Sequence, residues 1–324
     1  MNNKEIAQKI VDKMLDTISR TGYLPWTKPW TADKQHRSVQ VLEGYTTVTV
    51  PVRHWSRAGK PYNGINPLLL GMSGMTGEWV TFSQCKAEGG TVRKGAKGQT
   101  IIFWNMFRKE TGELDDDGKP IVRVIPTLKY YTVFNVEHDT DLKVKHHPEP
   151  VTYTFPRYRS VPVDGLDTSK YDPAAEDIVA DYVARCKTLL LDREGVSDEA
   201  FYSPALDRVV TPNIGQFATP AEFYSTLFHE LGHSTGHVSR LNRFTGKDAA
   251  AAWGDENYSR EELVAEITAA SILSTLGMDD GNTSRNSAAY VKHWSEHIKN
   301  DPMMFVVAAG RAEKAIDLIL GTAC

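Results

Sequence analysis

The chain has 324 residues, 41% of them hydrophobic, which is enough to form the cores of two domains. Its three cysteines are far apart in sequence and form no CxxC pair, which argues against a disulfide framework or a cysteine-rich zinc site. No apolar run suits a signal peptide or a membrane span, so we expect a cytoplasmic protein with no membrane partner. Residues 1–150 carry 21 Lys and Arg against 16 Asp and Glu, and residues 151–324 carry 16 against 25, so a polyanionic partner is expected to meet the first half.

The first half predicts both helices and strands. Residues 4–20 place apolar side chains at helical spacing, which predicts an amphipathic helix ending near Gly22. Strand-like runs follow, with a polar turn at residues 114–118 between the last two of them: 45–52, 100–107 and 121–136. These elements predict an α+β fold with antiparallel hairpins.

Aromatic and basic residues alternate along this half. Stacking an exposed base on an aromatic ring contributes about 1–3 kcal/mol, and basic side chains neutralise phosphates without reading sequence. The pattern predicts a surface for single-stranded nucleic acid formed by Trp26, Trp30, Trp55, Tyr62, Arg93, Lys94 and Lys97. The three basic residues in VRKGAKG are the best candidates, because a glycine-flanked basic loop has no evident packing purpose. The alternative is that Trp55, Trp79 and Trp104 are core residues of a small sheet.

A proline-rich segment predicts the domain boundary. Residues 139–173 contain five prolines and few apolar residues in period, which is typical of an extended linker. We therefore expect one domain over residues 1–138, a linker over 139–173 and a second, mainly helical domain over 174–324.

The second half begins with a predicted helix at residues 174–192 and a short strand at 208–210. The strand precedes the next helix directly, so it is a candidate edge strand for pairing with a peptide. In that next helix, Thr219 can serve as N-cap, Pro220 occupies the first position and Glu222 closes a capping box. Phe223, Leu227 and Leu231 predict a buried face, and the helix is expected to stop at Gly236.

The pentad HELGH lies on this helix. His229 and His233 are four residues apart, so both imidazoles project from one face and can reach one metal ion. Glu230 points roughly 100° away, toward the place of an activated water molecule. Zinc lowers the pKa of bound water to about 7, and Glu230 can accept its proton and return it to a leaving amine. The pentad thus predicts amide hydrolysis with Glu230 as general base.

A third ligand is expected from a second helix. Residues 260–273 predict a helix on which Glu262 and Glu266 share one face. We assign Glu262 as the third ligand and Glu266 as the acceptor that orients a histidine, with the reverse assignment open. The longer motif HExxHxxGxxH would use a third histidine, but its position here is Ser239, which argues against that class. His237 is a further ligand candidate, but because it follows Gly236, where the helix is expected to stop, we expect it to lie behind the ligands or to face the substrate.

Several motifs occur together in a fixed order. They are LPWTKPW, PYNGINPLLL, WVTFSQCKAEGGTVRKGAKG, IIFWNMF, FYSPALDRVVTP, STLFHELGHSTGHVSRLNR and YSREELVAEITAA. In this combination the chain resembles the ArdC-type antirestriction proteins of conjugative plasmids. The resemblance covers nearly the whole chain, with residues 139–173 and the last thirty or so residues less diagnostic.

The resemblance implies a function for each half. The first half would be a single-stranded DNA-binding domain similar to that of TraC-type plasmid primases, and the second a zincin-like metallopeptidase domain that holds Zn²⁺ or another divalent transition metal. It implies protection of incoming plasmid DNA from restriction in the cytoplasm of a bacterial cell, but it identifies no protease substrate. One hypothesis is a metallopeptidase that the DNA domain recruits to DNA-bound proteins, with host restriction proteins as substrate or target. The alternative is a non-proteolytic DNA-binding protector whose metal site is structural.

Overall fold

The computed structural model describes residues 3–21, 38–50, 52–114, 120–158, 168–244, 256–278 and 295–321. It contains helices and strands in two compact units, which confirms the α+β class. Residues 1–12 and 53–148 form unit 1, and residues 13–52 and 149–324 form unit 2. No helix among the described residues is both long and apolar enough to cross a membrane.

The helices, in chain order, are α1 (Asn3–Thr21), α2 (Asn66–Gly71), α3 (Phe82–Ala87), α4 (Val136–Asp139), α5 (Pro173–Arg185), α6 (Pro220–Ser234), α7 (Glu256–Leu276), α8 (Ser295–Asn300) and α9 (Pro302–Ile319). The strands are β1 (Ser38–Val41), β2 (Tyr45–Val50), β3 (His54–Ser56), β4 (Gly77–Thr81), β5 (Gln99–Leu114), β6 (Pro120–Asn135), β7 (Val151–Pro156), β8 (Leu190–Asp192), β9 (Phe201–Ser203) and β10 (Arg208–Val210). The predicted first helix is confirmed as α1, while its expected end at Gly22 lies outside the described residues.

Unit 1 is organised around a four-stranded sheet in the order β3-β4-β6-β5. The strands β5 and β6 form the predicted antiparallel hairpin, and β4 extends it antiparallel to β6. Leu70, Trp79, Ile101 and Val133 are buried together, because alternate residues of a strand face the same side of a sheet. The expectation that Trp79 is a core residue is confirmed.

At Ile102, a side chain occupies the outer edge of β5. Asn66, the first residue of α2, donates from Nδ2 to the carbonyl of Ile102 at 2.8 Å. Its Oδ1 accepts from the Ile102 amide, also at 2.8 Å. Asn66 is buried and thereby satisfies both backbone groups of Ile102 at the sheet edge.

Unit 2 combines two small sheets with long helices. The sheets have the orders β1-β2-β7 and β8-β10-β9. Side chains from α5, α6, α7, α9 and the strands form a shared core. Its largest fully buried aromatic members are Phe155, Tyr182, Phe223, Tyr224 and Phe228. Asp172 caps α5 by accepting hydrogen bonds from the amides of Ala174 and Ala175.

The structure differs from the predicted boundary. The supposed linker over residues 139–173 contains β7, which pairs with β2 along six residues, from Tyr45↔Pro156 to Val50↔Val151. The segment VTYTFP alternates polar and apolar residues, and Phe155 enters the core of unit 2, so the strand outweighs the loop signal of the flanking prolines. The predicted helix over 174–192 ends at Arg185, and residues 190–192 form β8.

Candidate metal centre

Helix α6 presents the HELGH pentad from a packed element. Thr219 caps it as predicted, since its side chain accepts a hydrogen bond from the Glu222 amide at 3.2 Å. Phe223, Leu227 and Leu231 are fully buried, as the helical spacing predicts. The histidines of the pentad therefore project from a backbone that is fixed both by its cap and by its core.

Helix α7 approaches α6 closely at Gly232. A Cβ atom built on Gly232 would lie 3.1 Å from Cα of Ala265, so a larger residue there would require the two helices to shift by a few tenths of an ångström. The glycine inside the pentad and the alanine three residues beyond Glu262 therefore set the separation of the two helices. This separation brings Glu262 within reach of both histidines.

Three potential ligand atoms converge between the helices. Nε2 of His229 lies 3.1 Å from Nε2 of His233. The Glu262 carboxylate places Oε2 3.4 Å from His229 Nε2 and Oε1 3.3 Å from His233 Nε2. Ligands about 2.0–2.2 Å from a tetrahedral zinc ion lie about 3.3–3.5 Å from one another. The donor types and their spacing thus fit a zinc-like cation, with one position left for water or substrate.

Each histidine also faces a carboxylate at its other nitrogen. His229 Nδ1 lies 3.4 Å from Glu266 Oε2, the orienting position predicted for that residue. His233 Nδ1 lies 3.7 Å from Glu261 Oε1, a contact that sequence reasoning missed. Carboxylates in these positions fix the ring orientation of metal-binding histidines.

Arg243 holds Glu261 in place. Its Nε donates to Glu261 Oε2 at 3.0 Å, and a second nitrogen contacts Oε1. It also donates to the Gly232 carbonyl at 2.9 Å and to Thr235 Oγ1 at 2.7 Å. Arg243 thus links the end of α6 to α7. Glu261 could have been predicted from the sequence, because it is next to Glu262. Arg243 lies in a loop, and no sequence pattern connects it with the site.

The electrostatics of the cluster suit a cation. Burial lowers the pKa of His229, but the carboxylates of Glu262 and Glu266 outweigh it and raise that pKa to about 10. Burial likewise opposes protonation of His233, yet Glu261 and Glu262 raise its pKa to about 9. Burial raises the pKa of Glu262, but contact with both imidazoles lowers it well below its usual range. Positive charge is therefore strongly stabilised between these residues.

Glu230 lies beside this cluster, on the same helix. It is buried, and burial raises its pKa above the ordinary value for glutamate. The two histidines of the pentad and the nearby backbone of Tyr202 in β9 act in the opposite direction and lower its pKa. A carboxylate with a raised pKa next to a cation site has the properties of a general base.

The predicted edge strand is wrong. Residues 208–210 form β10, which pairs with β8 on one side and β9 on the other, so neither of its edges is free. The edge next to Glu230 belongs to β9, Phe201–Ser203. The position of β10 just before α6 in the sequence suggested it as the edge strand. In the structure β10 is the central strand, and β9 pairs antiparallel with it at the edge of the sheet.

Asp207 anchors β9 to the segment that follows α6. It adopts a left-handed backbone conformation with φ 45°. Its carboxylate accepts from Thr188 Oγ1 at 2.6 Å, Tyr202 OH at 2.9 Å and Arg240 Nη1 at 3.0 Å. Burial raises the pKa of Asp207, but hydrogen bonds from these partners outweigh it and lower the pKa to about 2.

His237 contacts the Asp207 network rather than the metal-binding cluster. Its Nδ1 lies 3.8 Å from Asp207 Oδ2 and 2.8 Å from Ser239 Oγ. The potential metal cluster among the described residues consists of His229, His233 and Glu262, without His237.

The predicted DNA-binding residues have different environments. Arg93, Lys94 and Lys97 are exposed on the loop before β5. Arg93 also ties this loop down, because its Nη1 donates to the His138 carbonyl at 2.9 Å and its amide to the Asp139 carbonyl at 2.8 Å.

The predicted aromatic residues do not share one environment. Trp55 is half-buried beside His147, and burial raises the pKa of Tyr62 to about 12 where it packs on the core of unit 1. Trp26 and Trp30 lie outside the described residues. Trp104, a core candidate in the alternative interpretation, is instead 45% exposed.

Comparison with known families divides the chain in two. Residues 4–134 match the family "N-terminal domain of anti-restriction factor ArdC", and residues 174–311 match "Zincin-like metallopeptidase". Each match lies in the half of the sequence in which the corresponding motifs occur.

Solved structures and sequence relatives extend the similarity. The metal-free structure of the antirestriction protein ArdC from plasmid R388 is 29% identical, with a TM-score of 0.61 over 98% of this chain and 97% of that one. The Mn(II)-bound structure of the same protein is 28% identical, with a TM-score of 0.62 over 98% of each chain. DNA primase TraC of Escherichia coli is 31% identical over 98% of this chain, which spans 27% of the length of that relative.

Proposed function

We propose that this chain, which belongs to the ArdC-type family of antirestriction proteins, protects incoming single-stranded plasmid DNA from host restriction. In this proposal unit 1 binds the DNA and unit 2 acts as a metal-dependent peptidase in the bacterial cytoplasm. The observation that carries the peptidase part is the convergence of His229, His233 and Glu262 with Glu230 beside them.

The metal site would be held by Nε2 of each histidine and by the Glu262 carboxylate. A divalent cation there polarises a carbonyl and acidifies water. Zinc fits the donor set, and the Mn(II)-bound relative supports a divalent ion of this size. Glu266 and Glu261 would keep the His229 and His233 rings in the orientation that metal binding requires.

Glu230 would hold and move the proton in this reaction. Its raised pKa supports proton transfer near neutral pH, because a base is most effective when its pKa approaches the working pH. The Tyr202 backbone lies near the carboxylate and would help to orient it. Glu230 would accept a proton from the attacking water and donate it to the departing amine.

The edge strand β9 would bind the substrate peptide. It is three residues long, lies at the edge of its sheet and borders Glu230. An extended peptide gains backbone hydrogen bonds at such an edge without a sequence requirement. Host restriction proteins are the proposed substrate or target.

The DNA part of the proposal rests on unit 1. Arg93, Lys94 and Lys97 expose three positive charges on one loop, and the similarity to a DNA primase supports a nucleic-acid partner. Binding is expected to favour single strands over duplex and to weaken as salt rises.

The test uses Glu230→Gln, which keeps the size of the side chain. Purified wild type and variant are incubated with casein and with restriction subunits, with and without single-stranded DNA, and metal content is measured. Both proteins should hold about one metal ion, but only wild type should cleave. Glu222→Gln, on the same helix, is the control and should cleave like wild type.

A second function is favoured by the position of the site. The potential ligands connect α6 and α7 next to the close contact of Gly232 with Ala265, so a metal ion would also stabilise unit 2. Transfer of unmodified DNA into restricting cells separates the two functions. If Glu230→Gln protects as well as wild type, peptidase activity is dispensable and the metal is structural. Loss of protection with unchanged folding, metal content and DNA binding supports the peptidase.

A further inference from the structure

Strands β5 and β6 expose large aromatic side chains near the middle of their pairing. Phe103, Trp104, Tyr130 and Tyr131 are each between 44% and 46% exposed. Isolated exposed apolar residues are common, but neighbouring ones that share a face of a sheet can mark a binding surface. None of these four residues belongs to the DNA-binding set predicted from the sequence.

The register separates them onto two faces. Phe103 is paired with Lys129, and Ile101 with Tyr131, so Phe103, Lys129 and Tyr131 share one face of the sheet. Trp104 and Tyr130 lie on the opposite face. The rings of Phe103 and Tyr131 are 5.8 Å apart between centroids and meet edge to face.

Phe103, Tyr131 and Lys129 form a surface that we call the aromatic platform. Its base is rigid, because Ile101 and Val133 on the same face are buried in the core of unit 1. Lys129 is exposed, and it forms no ion pair with another described residue. The aromatic platform therefore combines two fixed rings with one available positive charge.

We infer that the aromatic platform stacks the bases of single-stranded DNA, while Lys129 contacts the phosphate backbone. This inference rests on the proposed function and adds the contact residues that it lacks. Every base has a π-face, so two rings on one sheet face bind a strand without reading its sequence. An exposed lysine beside the rings matches a polyanion, whereas lysine is depleted at protein–protein interfaces.

The basic loop supplies a second contact for the same strand. Lys97 lies two residues before the start of β5. At about 3.4 Å per residue, the four steps from Gln99 to Phe103 span about 14 Å. DNA that is stacked on the platform and follows β5 would therefore reach Lys97 and Lys94.

The experiment measures binding of a fluorescent oligothymidine by the full-length protein in low salt. Phe103→Ala and Tyr131→Ala should each weaken binding by about 5-fold to 150-fold, the range for loss of one stacked base. Lys129→Ala should weaken binding less than the aromatic variants do. Because a phosphate contact is lost, it should also make the affinity of the protein for DNA depend less on salt. Trp104→Ala and Tyr130→Ala are matched controls on the opposite face and should change binding by less than about 2-fold.

Conservative variants distinguish stacking from folding. Tyr131→Phe and Phe103→Trp retain a ring and should bind as wild type, with unchanged thermal melting. If wild type binds single strands and the alanine variants bind equally well, the platform inference is wrong and the DNA-binding proposal stands. If wild type does not bind single strands, both are wrong.

The oligomeric state provides the remaining outcome. If wild type is a dimer in sedimentation and the platform variants are monomers, the aromatic platform is a contact between copies and the inference is overturned.

Discussion

The metal centre and the aromatic platform use polar and apolar groups in opposite ways. At the metal centre, charged side chains are buried and held by partners on two helices, so each has one orientation. At the aromatic platform, large rings are half exposed on a rigid sheet. The comparison shows that a buried constellation depends on helix packing, whereas an exposed binding surface depends on which strand face the core leaves open.

The largest expected effect tests the ligand assignment. Glu262→Ala removes one of three potential ligands and should abolish stoichiometric metal binding at micromolar protein. Glu266→Ala removes only the acceptor behind His229, so the metal affinity should fall about 10-fold to 100-fold. Metal titration of both variants measures the difference.

His237→Ala is the control and should bind metal as wild type, since His237 contacts Asp207 and Ser239. If Glu266→Ala loses the metal and Glu262→Ala keeps it, the two roles are reversed.

The helix contact should respond to a single methyl group. Gly232→Ala would force Cβ to within 3.1 Å of the Ala265 backbone and should lower the free energy of unfolding by about 1–3 kcal/mol. Gly310→Ala is the matched control in α9, where a Cβ meets nothing within 4 Å, and should stabilise by about 0.5–1 kcal/mol. Urea unfolding measures both, and equal effects would exclude a close contact at Gly232.

Asp207 should make stability depend on pH in acid. Its pKa is about 2 when folded and 3.8 in the reference state, so its ionised form stabilises the fold above pH 4. The contribution, about 2 kcal/mol, is lost as the pH falls from about 4 to about 2.

Asp207→Asn keeps the shape but cannot ionise, so it should lower stability at pH 6 and flatten the decline below pH 4. Unfolding curves at pH 6, 4 and 2.5 measure this. Glu199→Gln, a substitution outside the Asp207 network, should leave the decline unchanged. An Asp207→Asn variant with the wild-type pH profile would contradict the prediction.

The smallest effect concerns the basic loop. Lys94→Ala and Lys97→Ala should each reduce the slope of log affinity against log salt by about 0.7, the value for one phosphate contact on a single strand. Binding of oligothymidine between low and moderate salt measures the slope. Lys86→Ala, on α3 of the same unit, is the control. An unchanged slope in both loop variants would place the phosphates elsewhere.

The sequence identifies the residues of the candidate metal centre better than those of the aromatic platform, for a physical reason. Helical spacing places His229 and His233 on one face, and the same rule on α7 identifies Glu262 and Glu266. Arg243 and β9 could not be found in this way, because loops and short strands reach the site through tertiary packing.

In unit 1 the sequence shows which residues are aromatic but not which face is covered. Trp79 and Trp104 both lie in strands, yet one is fully buried and the other 45% exposed. Tyr62, a predicted DNA contact, packs on the core, while Phe103 and Tyr131, which were not in the predicted set, are exposed on one face of the sheet. The α+β class and the hairpin were predictable because alternation and turn residues are local signals.

The side-chain amide of Asn66 also hinders the addition of a second chain to the edge of the sheet. An open strand edge is a template on which a second chain can add, and repeated addition leads to aggregation. By occupying both backbone groups of Ile102, Asn66 blocks strand addition at that residue. The blocked residue lies next to the exposed Phe103 and Trp104, where apolar side chains would otherwise favour such an addition.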